Sequence, residues 1–288
     1  MRAPGVEYSS TPMTDRLAHT TVLPHRVRSP FVAIEYGHLR VEDHCLLVER
    51  ETEEIEIPVA MVSAILLEPG VTVTHEAVKL AAEHGVLLIW VGEAGVRVYS
   101  AGNPGGKAPE RLIRQVRIHT DQNLRMAAAM RLYRLMFGEA FKETRSLEKL
   151  RGLEGAKVKV LYQNIAAQYG VTWAGRDKAA KALRDALGFA TSCLYGLSEA
   201  VILAAGYAPA IGIVHCGNER SLAFDLADTM KFKTVVPAAF EVYAASPVDT
   251  ANRVRHRCRD LFREQKLAER LFANLFEIIG DVTDAGIE

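Results

Sequence analysis

AGNPGGKA, residues 101–108, separates two stretches of different periodicity. A proline followed by two glycines, with little apolar content, reads as a linker. Pro109 follows and suits the first turn of a helix. Before the linker, short apolar runs recur at 31–36, 38–41, 45–50, 55–59, 62–67, 87–91 and 96–100. Turn residues separate them, and one helical stretch, 75–84, is closed by Gly85. Strands this short and this frequent predict a small β-sandwich or β-roll domain over 13–100. Beyond the linker, helical periodicity takes over at 111–137, 146–169, 178–205 and 248–279. The 178–205 stretch is apolar on several faces, which places it at the centre of a bundle. The expected fold is therefore α+β: an N-terminal β domain, a linker at 101–108, and a larger all-helical domain over 109–288. Residues 1–12 are polar and proline-containing and read as disordered or as a non-native start, with Met13 a candidate natural start.

The 288 residues are 49% hydrophobic and 24% charged, which is ordinary for a globular protein with a sizeable core. Cys45, Cys193, Cys216 and Cys258 are far apart and form no CxxC pair. That argues against structural zinc and a disulfide framework, and fits a reducing cytoplasm. No apolar run reaches the length of a membrane span, so no membrane partner is expected. The net charge of zero hides an asymmetry: residues 107–184 hold 17 Lys and Arg against 7 Asp and Glu. Such a block is either the footprint of a polyanion or a solvated helical surface.

Residues 207–232, YAPAIGIVHCGNERSLAFDLADTMKF, carry the densest chemistry. An apolar run (210–214) leads through a polar turn into a helix that Ser221 can cap. Ser221, Asp225 and Asp228 then share one face, while Leu222, Leu226 and Met230 form a buried stripe. His215, where the apolar run ends, can point back at both carboxylates. One nitrogen with carboxylate oxygens suits Mg²⁺ or Mn²⁺; the plainer alternative is a hydrogen-bonded histidine beside solvated aspartates. A third candidate is Glu154, between Gly152 and Gly155 and among Lys149, Arg151, Lys157 and Lys159. Two helical glycines cost about 1 kcal/mol each, which close approach of a backbone or ligand would justify. Glu154 either pairs with those cations along the helix or completes an O, N, O set with His215 and Asp228. Asp225 would then be a supporting carboxylate or a base.

RGLEGAKVKVLY, SCLYGLSEAVILAAGYAPAIGIVHCG, DLADTMKF and VGEAGVRVYSAGNPGG resemble the CRISPR-associated Cas-one endonucleases, the integrases of spacer acquisition, and most closely subtype I-E. The resemblance implies a helical catalytic domain, with Glu154, His215 and Asp228 as ligands of Mg²⁺ or Mn²⁺ and Asp225 as a further acidic position. It implies joining of the 3′-hydroxyl ends of a short double-stranded DNA to a CRISPR repeat by transesterification. It also implies a homodimer assembled on the small Cas-two protein. By motif, Arg97 and Arg151 resemble phosphate-contacting positions, Tyr36 resembles a tyrosine that braces the duplex, and Tyr195 lies near the active site. Tyr195 and Tyr36 also fit as ordinary core and strand aromatics. Two departures stand out: GRDKAAKALRD lacks an aromatic expected after VTW, and HCGNERS replaces a short basic-proline turn. A DNA-binding assembly subunit with little catalysis, and a nuclease on branched DNA, are the alternative functions.

Overall fold

The computed structural model describes residues 31–93, 97–102, 109–138 and 146–280. Residues 1–12 and most of the expected linker, 103–108, lie outside the described residues. The first part carries strands β1 (Val32–Ile34), β2 (Gly37–Glu42), β3 (Cys45–Glu49), β4 (Glu54–Ile57), β5 (Ala64–Leu67) and β6 (Val71–Val73), then helix α1 (His75–Glu83), β7 (Leu87–Val91) and β8 (Val98–Ala101). They form two four-stranded sheets, ordered β1-β5-β7-β8 and β4-β3-β2-β6. In the first sheet β1, β5 and β7 are parallel, and α1 lies within the crossover between β5 and β7.

Every residue of β5 is buried, because both faces of that sheet are covered. Ile65, Leu67 and Leu88 pack with Leu39, Leu46 and Val48 of the second sheet. Ala64, Leu66, Leu87, Ile89 and Val91 point the other way and join the core of the helical part. The period of two in β5 and β7 thus splits one strand pair between two cores. β6 is not among the expected strands. It is three residues long and follows Pro69–Gly70, where turn chemistry dominates the local reading.

The helical part comprises α2 (Pro109–Thr120), α3 (Gln122–Phe137), α4 (Leu147–Gln168), α5 (Lys181–Ala204), α6 (Ser221–Lys231), α7 (Val235–Ala245), α8 (Thr250–Glu264) and α9 (Leu267–Ile279). Two expected helices are each broken once. The 111–137 stretch is interrupted at Asp121, whose carboxylate caps α3 by accepting from the backbone N–H groups of Asn123 and Leu124. The 248–279 stretch is interrupted at Lys266, which takes a left-handed conformation at φ 46°. α7 was not expected; its Pro237 occupies the first turn, where a missing N–H has no helical partner to lose. α5 is the hub, buried on several faces. By length and composition alone α5 is long and apolar enough to cross a membrane. Two-thirds of its most apolar window (67%) is instead buried among the other helices, so its apolar surface is already packed within the protein.

Candidate active site

The segment 207–217 between α5 and α6 is irregular, and it is held from both sides. Asp225, on the buried face of α6 and 1% exposed, accepts on Oδ2 from the N–H groups of Ile213 (2.6 Å) and Val214 (3.1 Å). Its Oδ1 takes the N–H of His215 (2.9 Å) and stands 2.8 Å from His215 Nδ1. With only acceptors on the carboxylate, Nδ1 carries the proton and Nε2 is left with its lone pair.

The carbonyls of the same segment point outward to donors from three helices. Gln115 of α2 donates to Ala208 O and Ile211 O and accepts from Ala208 N–H. His119, one turn along α2, bonds Gly212 O at 2.7 Å. Arg125 of α3 donates to Ile213 O at 2.7 Å, and Arg151 of α4 to Val214 O. Four consecutive carbonyls, 211 to 214, are therefore fixed by side chains distant in sequence. Gly212 is required here, because a Cβ would stand 2.2 Å from His215 O and 2.7 Å from Ser221 Cβ. Ser221 is not the cap of α6: it is the first helical residue, buried, and its hydroxyl exchanges hydrogen bonds with the backbone of Asn218.

Four expected site residues converge electrostatically. The bond to Asp225 raises the His215 pKa above its ordinary value; burial opposes this, and the charges of Asp225, Asp228 and Glu154 add to it. Burial pushes the Asp228 carboxyl up, with Lys231 and His215 pulling against it. Lys231 Nζ lies 3.2 Å from Asp228 Oδ1, and both side chains are largely buried. Burial pulls the Lys231 ammonium down, but Asp228, Tyr195 and Tyr162 outweigh it, and its pKa is raised. Glu154 continues the inward stripe of α4 begun at Leu150, and its Oε2 accepts from the hydroxyl of buried Tyr133 at 2.7 Å.

Among the described residues, no three His, Cys, Asp or Glu side chains stand close enough to hold a metal ion as they are placed. Glu154 is turned to Tyr133 and Asp228 to Lys231, each through one oxygen. The chemistry of the donor set still fits a hard divalent cation: two carboxylates with one oxygen each not engaged in these bonds, one imidazole nitrogen, and a local excess of negative charge. Asp225 is different. Its oxygens take four donors in a buried setting, and one of those donors is the His215 ring.

The expected DNA contacts are dispersed. Tyr36 is 56% exposed on the β region, with the Arg50 guanidinium 4.5 Å above its ring. Arg97 is exposed immediately before β8, its carbonyl accepting from Gly92 N–H. Arg151 is turned inward onto Val214 O, a partner not foreseen for it. Tyr195 packs on Phe224 at 4.7 Å, and Phe224 also meets the His215 ring edge-on at 5.9 Å, which brings Tyr195 to the rim of the site. A Cβ at Gly152 or Gly155 would meet no protein atom within 4 Å, so close packing against a neighbouring element does not explain those glycines. Lys231, Tyr133, Gln115, His119 and Arg125 were missed by the sequence reading. Only Lys231, three residues after Asp228, had a local signal.

Two sheets packed against a helical bundle form a fold that this chain shares with solved Cas1 structures. The crystal structure of a TtCas1–DNA complex matches with a TM-score of 0.81 at 33% identity, covering 89% of this chain and 98% of its own. The chain belongs to the family described as CRISPR associated protein Cas1, which matches over residues 31–137 and 135–252. CRISPR-associated endonuclease Cas1 of Escherichia coli (strain K12) is 45% identical over 271 residues, 92% of this chain and 88% of its own length. The protein of that name from Geobacter sulfurreducens is 40% identical over 274 residues, 93% of this chain and 90% of its own. The subtype I-E resemblance stands with the Escherichia coli relative.

Proposed function

We propose that this chain is the metal-dependent integrase of CRISPR adaptation, joining the 3′-hydroxyl ends of a short DNA duplex to a CRISPR repeat by transesterification. Relatives named endonucleases at 40–45% identity over most of the chain support a nuclease or integrase of that system. The observation that carries the reading is the convergence of Glu154, Asp225 and Asp228 on one imidazole whose tautomer is fixed. His215 Nε2 and the open oxygens of Glu154 and Asp228 would hold Mg²⁺ or Mn²⁺. When bound, such an ion lowers the pKa of the attacking hydroxyl and offsets charge on the scissile phosphate. Asp225 keeps His215 in the ligating tautomer, and the clamp on residues 211–214 fixes where the ring stands. Lys231, 3.2 Å from Asp228 Oδ1, would offset the charge of that carboxylate while its other oxygen stays open. Arg97 and Tyr36 are suited by their exposure to contact the duplex away from the site. The reading includes a homodimer, assembly with the small Cas-two protein and a cytoplasmic setting.

The test is a joining assay with the Cas-two partner, a labelled duplex bearing 3′-hydroxyls and a supercoiled plasmid carrying a repeat, in Mn²⁺ or in chelator. Label should enter the plasmid only with metal, and His215→Ala should abolish transfer. Undiminished transfer by that variant would refute the site. Tight duplex binding without transfer under any metal would favour an assembly subunit, and cleavage of branched DNA without joining would favour a nuclease.

A further inference from the structure

We propose that Tyr133 is a positioning residue for Glu154: a buried phenol on α3, a helix that bears none of the expected ligands, fixes which carboxylate oxygen Glu154 turns toward the cleft. The proposal rests on the metal-dependent reading above. Tyr133 has no exposed surface, and its ring is stacked with that of Phe137 at 6.2 Å, so the hydroxyl has a fixed origin. It stands 2.7 Å from Glu154 Oε2. An ionised carboxylate can only accept, so the phenol donates. The bond engages Oε2 and leaves Oε1 outside it.

Little else on α4 restrains Glu154. Residues 151–153 and 155–157 are exposed, and the flanks at Gly152 and Gly155 face open space. A glutamate in such surroundings rotates among many rotamers, and each reduces the fraction of time its free oxygen faces His215 and Asp228. A single hydrogen bond from a rigid buried donor removes most of that freedom. Partners that orient a ligand in this way typically change metal affinity by about 10–100-fold.

Tyr133→Phe removes the oxygen and keeps the ring in its packing. Mn²⁺ titration of the intact chain, followed by electron paramagnetic resonance or calorimetry, should show wild type binding, no binding by Glu154→Ala, and roughly tenfold weaker binding by Tyr133→Phe. The melting transition of Tyr133→Phe should be retained, and its joining rate should recover when Mn²⁺ is raised by the same factor. Wild-type affinity in Tyr133→Phe, with binding lost in Glu154→Ala, overturns the role of Tyr133 and leaves the metal reading intact. A wild-type chain that binds no Mn²⁺ overturns the metal reading itself. A second arm uses Glu154→Asp, which withdraws the carboxylate by one methylene. Adding Tyr133→Phe to it should weaken Mn²⁺ binding no further, because the bond is already broken; a full additional tenfold loss would refute the proposal.

Discussion

Asp225→Asn is the substitution that best separates an orienting carboxylate from a catalytic one. The two side chains have nearly the same shape, so packing on α6 is preserved. What changes is the hydrogen-bond arithmetic. Asp225 accepts four donors: three backbone N–H groups on its two oxygens and the His215 ring N–H. Asparagine has one acceptor oxygen and one donor group. It can satisfy the pair from Ile213 and Val214 or the pair from His215, never both. Two charge-assisted bonds are lost, at about 1.5–3 kcal/mol each, for a total of about 3–6 kcal/mol. A domain's whole stability is about 5–15 kcal/mol, so the loss should appear as a large fall in the denaturant midpoint with unchanged slope. Mn²⁺ affinity should fall with it, since His215 loses the partner that fixes its tautomer. A catalytic base would behave otherwise, with activity gone and stability intact. A variant within about 1 kcal/mol of wild type in urea unfolding, still binding Mn²⁺ normally, would refute the orienting role.

Gly212→Ala places a methyl 2.2 Å from His215 O and should destabilise by about 1–3 kcal/mol or more, with reduced Mn²⁺ binding; unchanged melting would contradict the loop geometry. Arg97→Ala should weaken duplex binding and lower its salt slope by about 1, with Mn²⁺ affinity unaltered, whereas Arg151→Ala should impair Mn²⁺ binding because it frees Val214 O; identical behaviour would erase that distinction. The folded His215 pKa is raised, so protonated His215 stabilises the fold below its unfolded pKa, near 6.5, and this contribution fades as pH rises through the folded value. Metal competes with that proton, so Mn²⁺ affinity should climb with pH until the raised folded value is passed; a flat profile would exclude His215 as a ligand.

The division into strands and helices was legible because periods of two and 3.6 differ over short windows. The placement of His215 near Asp225 was legible too, from a ten-residue gap bridged by a turn and one helical face. What stayed hidden was set by tertiary partners. Lys266 adopts a left-handed conformation without a glycine to announce it, so the break between α8 and α9 left no mark. The bond from His119 to Gly212 spans 93 residues, and that from Arg125 to Ile213 spans 88, distances over which no local pattern operates. Tyr133 lies within a run of apolar and basic residues where a core tyrosine and an orienting one look alike. Ser221 misled because a residue suited to capping instead bonds the turn before it.

The basic block is the clearest case of one count with two physical meanings. Its arginines do not simply coat a surface for a polyanion. Arg111 donates to Ala205 O at the end of α5, and Arg114 and Arg131 to Ile279 O and Ile278 O at the end of α9. A helix leaves its last carbonyls without internal partners and carries partial negative charge there, so a planar guanidinium both satisfies and neutralises that end. Arg125 and Arg151 treat the irregular loop in the same way, its carbonyls being as orphaned as those of a helix terminus. Much of the positive charge in the block is thus an internal consequence of folding long helices around a loop that lacks secondary structure. Lysines cannot replace these arginines, since a point charge on a flexible stem offers no rigid fork of donors. Lys149 and Lys159 on α4 remain exposed. The charge that meets DNA in this reading is therefore smaller than the sequence surplus. The rest of it builds the site that the DNA would reach, and a salt titration should yield a slope well short of the ten charges the block nominally carries.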